Sequence, residues 1–152
     1  MDMSFMSKFL VQGNDAGKIL NYLSTANVDG ESNSIVYTQW LNDHGKLEAD
    51  LTVCKLNENK FLVVATDTMH RHVESWLNRN IPSQSHCFVT DVSGAFTQIN
   101  IQGPNSRKFL QNLTSVDLSN AAFPFRSAKE IDIGYARVLC VRITYLGELG
   151  YE

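Results

Sequence analysis

Val11-Gln-Gly-Asn-Asp-Ala-Gly-Lys-Ile-Leu-Asn-Tyr-Leu-Ser-Thr25 returns ninety positions later as Ile101-Gln-Gly-Pro-Asn-Ser-Arg-Lys-Phe-Leu-Gln-Asn-Leu-Thr-Ser115. Each copy reads as a strand, a glycine turn and an amphipathic helix. In the first, Ala16, Ile19, Leu20 and Leu23 recur at helical spacing, with Asn14 or Asp15 as N-cap. In the second, Phe109, Leu110 and Leu113 do the same, with Pro104 near the helix start. The duplication predicts two related α+β halves, roughly 1–90 and 91–152, whose first strands lie near Lys8–Gln12 and Gln98–Gln102. The glycine turns match neither a dinucleotide fingerprint nor a Walker loop, so they carry no phosphate-site reading.

After each helix come strand-like segments: 34–42 and 46–56 in the first half, 129–133 and 136–145 in the second. The first half adds a strand at 61–65 and a helix over 67–80, with Val73, Trp76 and Leu77 as its buried stripe and Pro82 beyond its end. Strands at 86–91 and 95–101 complete the set. Helices alternating with antiparallel-capable strands argue for sheets covered by helices on one face. No low-complexity linker separates the halves, so a ligand cleft at their junction is expected.

Tyr37 to Val53 reads as a hairpin turning at Asp43-His44-Gly45-Lys46. Alternation puts Leu47, Ala49, Leu51 and Val53 on an apolar face, and Lys46, Glu48, Asp50 and Thr52 on the other. On the residues alone, the second face is a solvated strand surface. The tail Tyr145-Leu-Gly-Glu148-Leu-Gly-Tyr-Glu152 holds two glycines, two tyrosines and two carboxylates in eight residues. It reads either as a glycine-loosened turn with exposed acids or as an aromatic surface beside an acceptor for paired N–H donors.

Composition limits the function classes. A formal net charge of -3 and a sequence pI near 5.8 give no reason to expect nucleic acid or an anionic membrane as partner. No apolar stretch approaches the roughly 20 residues of a membrane-spanning helix. Cys54, Cys87 and Cys140 are odd in number and set in apolar runs, as expected of reduced thiols in the cytoplasm or mitochondrial matrix. His70 and His72 stand two apart on a predicted helix and so point in different directions, which argues for surface histidines and no metal site.

The hairpin resembles the folate-site hairpin of the aminomethyltransferase family, which includes the glycine cleavage T-protein and the folate domains of dimethylglycine and sarcosine dehydrogenases. Ser7–Gly13, Asn100–Ser106, Asp117–Phe125 and Ile143–Glu152 carry the likeness along the chain in the family's order. The resemblance implies an α+β fold of two ferredoxin-like strand-helix-strand halves. It also implies a tetrahydrofolate site lined by Tyr37, Asp50, Tyr145 and Glu152. Asp50 would be the catalytic residue near the folate nitrogens, Glu152 would hold the pterin edge, and the tyrosines would orient the ligand.

Alanine at position 49 departs from the adjacent aspartates of T-proteins. The Glu48-Ala-Asp-Leu-Thr-Val53 form is similar to the dehydrogenase-fused domains. The implied reaction captures a methylene unit from dimethylglycine or sarcosine as 5,10-methylenetetrahydrofolate. The alternatives are a T-protein aminomethyltransferase, a folate-dependent demethylase, or a non-catalytic relative such as the pyruvate dehydrogenase phosphatase regulatory subunit. The family's length leads us to expect an incomplete folate-binding domain over 1–152, inactive alone, lacking the C-terminal barrel, with FAD confined to an upstream domain. Its partners would be small-molecule substrates and the missing parts of the same chain.

Overall fold

Gly13 and Gly103 start the same turn twice. Both have positive φ, 133° and 118°, which L side chains rarely adopt. Each carbonyl accepts from the amide three residues on, Ala16 at 3.1 Å and Ser106 at 3.0 Å. Each glycine N–H donates to the carbonyl just before a strand, Asn59 at 2.9 Å and Leu149 at 2.8 Å, again ninety positions apart. The computed structural model describes residues 1–152, and it divides into two compact units, Ser4–Thr97 and Gln98–Glu152 with Met1–Met3.

The first unit runs β1 (Ser7–Gln12), α1 (Ala16–Leu23), β2 (Ser34–Leu41), β3 (Leu47–Asn57), β4 (Lys60–Ala65), α2 (His70–Asn80) and β5 (Phe88–Asp91). Its strands form one antiparallel sheet in the order β2-β3-β4-β1-β5. Phe9, Val11, Ala49, Leu51, Val53, Phe61, Val63 and Ala65 line the core face, packed with Ala16, Leu20 and Leu23 of α1 and Val73 and Leu77 of α2. Full burial of each large side chain stabilises by roughly 1.5–3 kcal/mol. Trp76 is partly buried against the same cluster. Gly13 has a second reason to be glycine, since a Cβ there would lie 2.0 Å from the His86 carbonyl oxygen. Asp15 occupies the N-cap of α1, but its carboxylate accepts from the His86 N–H at 2.7 Å instead of capping the helix.

The second unit runs β6 (Ile101–Gln102), α3 (Ser106–Gln111), β7 (Ala128–Ile133), β8 (Ala136–Val141) and β9 (Gly150–Tyr151). β7 pairs with β8 and β6 with β9. Val141 and Glu152 exchange backbone hydrogen bonds at 2.8 and 2.9 Å, which joins the two pairs in the order β7-β8-β9-β6. That order repeats β2-β3-β4-β1. Ile101 faces Tyr151 and Gln102 faces Gly150, the register in which Val11 faces Phe61 and Gln12 faces Lys60. Leu110, Leu118, Phe123, Ile131, Cys140 and Tyr151 form this unit's core. The α+β duplication expected from the repeat is the observed architecture.

Four local expectations are corrected. Leu47 is 61% exposed instead of buried, because a bulge between Trp40 and Leu41 leaves Trp40 facing Ala49 while Leu41 faces Leu47. The extra residue, Glu48, changes the phase of the pleat, so Leu47 joins the face of Asp50 and Glu48 turns toward α2. Phe109 and Leu113 are exposed; α3 is only six residues long, and Leu110 alone of the three apolar positions reaches the core. The strand expected over 95–101 is confined to β6, after a 3-10 turn at Ser93–Ala95. The strand expected over 136–145 ends at Val141.

Candidate functional site

β2 and β3 carry Tyr37 and Asp50. Pairing places Tyr37 opposite Thr52 and Gln39 opposite Asp50, so these four side chains share the sheet face turned away from α1 and α2. Bulk hydrophobic residues on the other face, Ala49, Leu51 and Val53, hold the hairpin down. Tyr37 and Asp50 are both exposed. Gln39 Nε2 donates to Asp50 Oδ1 at 3.1 Å, and Thr25 Oγ1 reaches Gln39 Oε1 at 3.5 Å. Gln39 therefore orients the carboxylate. Its position was readable only once the register of the hairpin was known.

Tyr145 and Glu152 lie in the second unit. Tyr145 is 91% exposed in the loop before β9. Glu152 is half-buried at the end of β9, and by the ninety-residue register it stands where Leu62 stands in β4. Asn100 Nδ2 donates to Glu152 Oε1 at 2.9 Å and Gln98 Nε2 to Oε2 at 3.3 Å. Burial pushes the carboxyl above its ordinary range, and the Asn100 and Gln98 amides pull it partly back. Asn100 Oδ1, both amide atoms of Gln102 and Thr144 Oγ1 are buried without a protein partner. Buried polar atoms of this kind favour a ligand or water that can bond them. Gln102 lies across Gly150, where a Cβ would meet its Oε1 at 2.1 Å. A side chain at position 150 would displace it.

His70 and His72 are more engaged than a bare surface pair. His70 bonds Ser7 Oγ through Nδ1 at 3.0 Å and faces Asp91 through Nε2 at 3.3 Å. Ser7 is buried, so this Ser-His-Asp chain has no accessible nucleophile. His72 Nε2 meets Glu48 Oε2 at 2.8 Å, the contact that the bulge makes possible. Cys54, Cys87 and Cys140 are free and buried, with burial pushing all three thiols up, Cys54 and Cys140 to about 12.

A family profile described as the GCVT N-terminal domain matches residues 1–152. Human mitochondrial sarcosine dehydrogenase is 34% identical over 165 residues, covering 99% of this chain and 18% of that protein. An aminomethyltransferase of Listeria monocytogenes is 32% identical over 152 residues, covering 99% of this chain and 41% of the relative. The chain thus spans about a fifth to two fifths of the length of these relatives. The crystal structure of the glycine cleavage system aminomethyltransferase T from Bartonella henselae superposes with a TM-score of 0.81 at 22% identity, over 99% of this chain and 39% of that one.

Proposed function

The chain belongs to the GCVT N-terminal domain family, and we propose that it is the tetrahydrofolate-binding part of an enzyme that captures a methylene unit from a methylated glycine as 5,10-methylenetetrahydrofolate. One observation carries this reading. Each half of the duplication presents a carboxylate on its helix-free sheet face, Asp50 in the first and Glu152 in the second, and each carboxylate is oriented by a side-chain amide. The likeness to a sarcosine dehydrogenase favours a methylated glycine as the donor.

The residues present fit the ligand. Glu152 combines a half-buried carboxylate with the unpartnered Oδ1 of its own partner Asn100 and, against Gly150 two residues before it, the unpartnered Gln102 amide, polar groups suited to an N–H-bearing heterocycle edge. Tetrahydrofolate, when bound, supplies the amines that take up the one-carbon unit. Asp50, exposed on the sheet face, stabilises the positive charge that develops as an iminium is captured and accepts the proton that must then leave. Tyr37 and Tyr145 offer aromatic faces for orienting the ligand. Donor chemistry would come from outside this domain, with FAD in a separate domain.

The test is product analysis with the full-length protein, supplied with tetrahydrofolate and sarcosine or dimethylglycine. Formation of 5,10-methylenetetrahydrofolate supports the reading. Free formaldehyde in equal yield with and without tetrahydrofolate overturns it.

A further inference from the structure

In the run just before β6, Gln98 and Asn100 flank Ile99, which bridges Asp2, and both turn their side-chain amides toward Glu152. Asn100 and Gln98 each give one amide donor to a different oxygen of Glu152, at 2.9 and 3.3 Å. The backbone of Glu152 is fixed independently, by the paired bonds to Val141 at 2.8 and 2.9 Å. The run itself is braced from its other edge, where Met3 N donates to Gln98 O at 2.8 Å and Asn100 N to Met1 O at 2.9 Å. A carboxylate with a fixed backbone and one donor on each oxygen has little rotameric freedom left.

We propose that Asn100 and Gln98 are positioning residues that hold the Glu152 carboxylate in one orientation, leaving the second lone pair of each oxygen for the N–H donors of the ligand. This rests on reading Glu152 as the ligand-binding carboxylate. Each carboxylate oxygen accepts two bonds, so one protein donor per oxygen leaves one site per oxygen for a planar edge that offers two parallel N–H groups. Without the amides, Glu152 would be a half-buried carboxyl whose desolvation favours the neutral form, and a neutral carboxyl presents a donor to donors.

The bracing segment carries the Met1 amino group and Asp2, the β8 side carries Arg137, Cys140 and Arg142, and the loop before β9 carries Tyr145 and Glu148. None of these is a cause of the Glu152 shift, which is set by burial first and then by Asn100 and Gln98. Removing either amide therefore raises the Glu152 carboxyl further. A ligand that needs the ionised form is then lost at a higher pH as the solution is acidified.

The experiment measures the dissociation constant of tetrahydrofolate across pH 5 to 9 for the full-length protein and for Asn100→Leu, Gln98→Leu and Glu152→Gln, under anaerobic conditions. The expected result is that each leucine variant moves the pH at which binding weakens upward by about one unit, the size of losing one bond to a charged group. Glu152→Gln weakens binding and flattens its pH dependence. Asn100→Leu and Gln98→Leu weakening binding equally at every pH, or not at all, would overturn the proposal and leave the amides as scaffold. Glu152→Gln binding like the parent at all pH values would instead overturn the assignment of Glu152 itself. Because the two leucine variants remove separate donors, failure of one to fold leaves the other as the test.

Discussion

Gln39 Nε2 donates to Asp50 Oδ1 at 3.1 Å across the pair at which β2 and β3 face each other, on the sheet face that carries Tyr37. The donor fixes which way an exposed carboxylate points without burying it. Gln39→Met removes that donor and keeps the chain length of the side chain. Methylene transfer by the full-length protein is expected to fall by between about two- and tenfold, the range of one net hydrogen bond. Folate affinity should stay within about twofold, and both are read from steady-state kinetics and titration.

Asp50→Asn keeps the shape and removes the charge. If Asp50 stabilises the developing cation and takes its proton, transfer falls by roughly 10²- to 10⁴-fold while folate binding changes little. Single-turnover measurement of methylene transfer separates the two quantities.

The bulge at Glu48 separates two leucines that alternation places together. Leu51→Ala empties a core position and should lower unfolding stability by about 2–5 kcal/mol. Leu47→Ala removes an exposed side chain and should stay within about 0.5 kcal/mol. Urea denaturation of the full-length variants checks the contrast, and equal effects would put both residues on one face.

Burial raises the thiols of Cys54 and Cys140 to about 12 and moves Cys87 in the same direction. The thiolate is the reactive form, so the native protein should resist alkylation at all three positions at pH 8. Peptide mapping after iodoacetamide treatment should find them modified only after denaturation.

The repeat made the duplication legible, because Gly13 and Gly103 sit in otherwise similar runs and each needs a positive φ. The core of the first half followed from strict alternation at Ala49, Leu51 and Val53. Alternation also hid the bulge, since the pattern from Lys46 to Val53 is unbroken in sequence and only pairing with β2 reveals that Glu48 is the extra residue. β9 reads as a loosened turn because Gly147 and Gly150 flank a short segment, yet pairing with β6 fixes Tyr151 and the backbone bonds to Val141 fix Glu152. Tyr37, Asp50, Tyr145 and Glu152 are candidates through the family resemblance, since on the residues alone the face of Asp50 reads as solvated strand surface. Gln39, Asn100 and Gln98 were not legible in the sequence, because their partners lie 11 and about fifty residues away and only strand register brings them into contact.

Folate binding is tested by calorimetric titration of tetrahydrofolate into the full-length protein and its Glu152→Gln variant, kept anaerobic at neutral pH. The parent protein should give a saturable heat and Glu152→Gln a markedly weaker one, because one acceptor oxygen becomes a donor facing donors. No heat above dilution for the parent protein would contradict the claim that this chain holds folate.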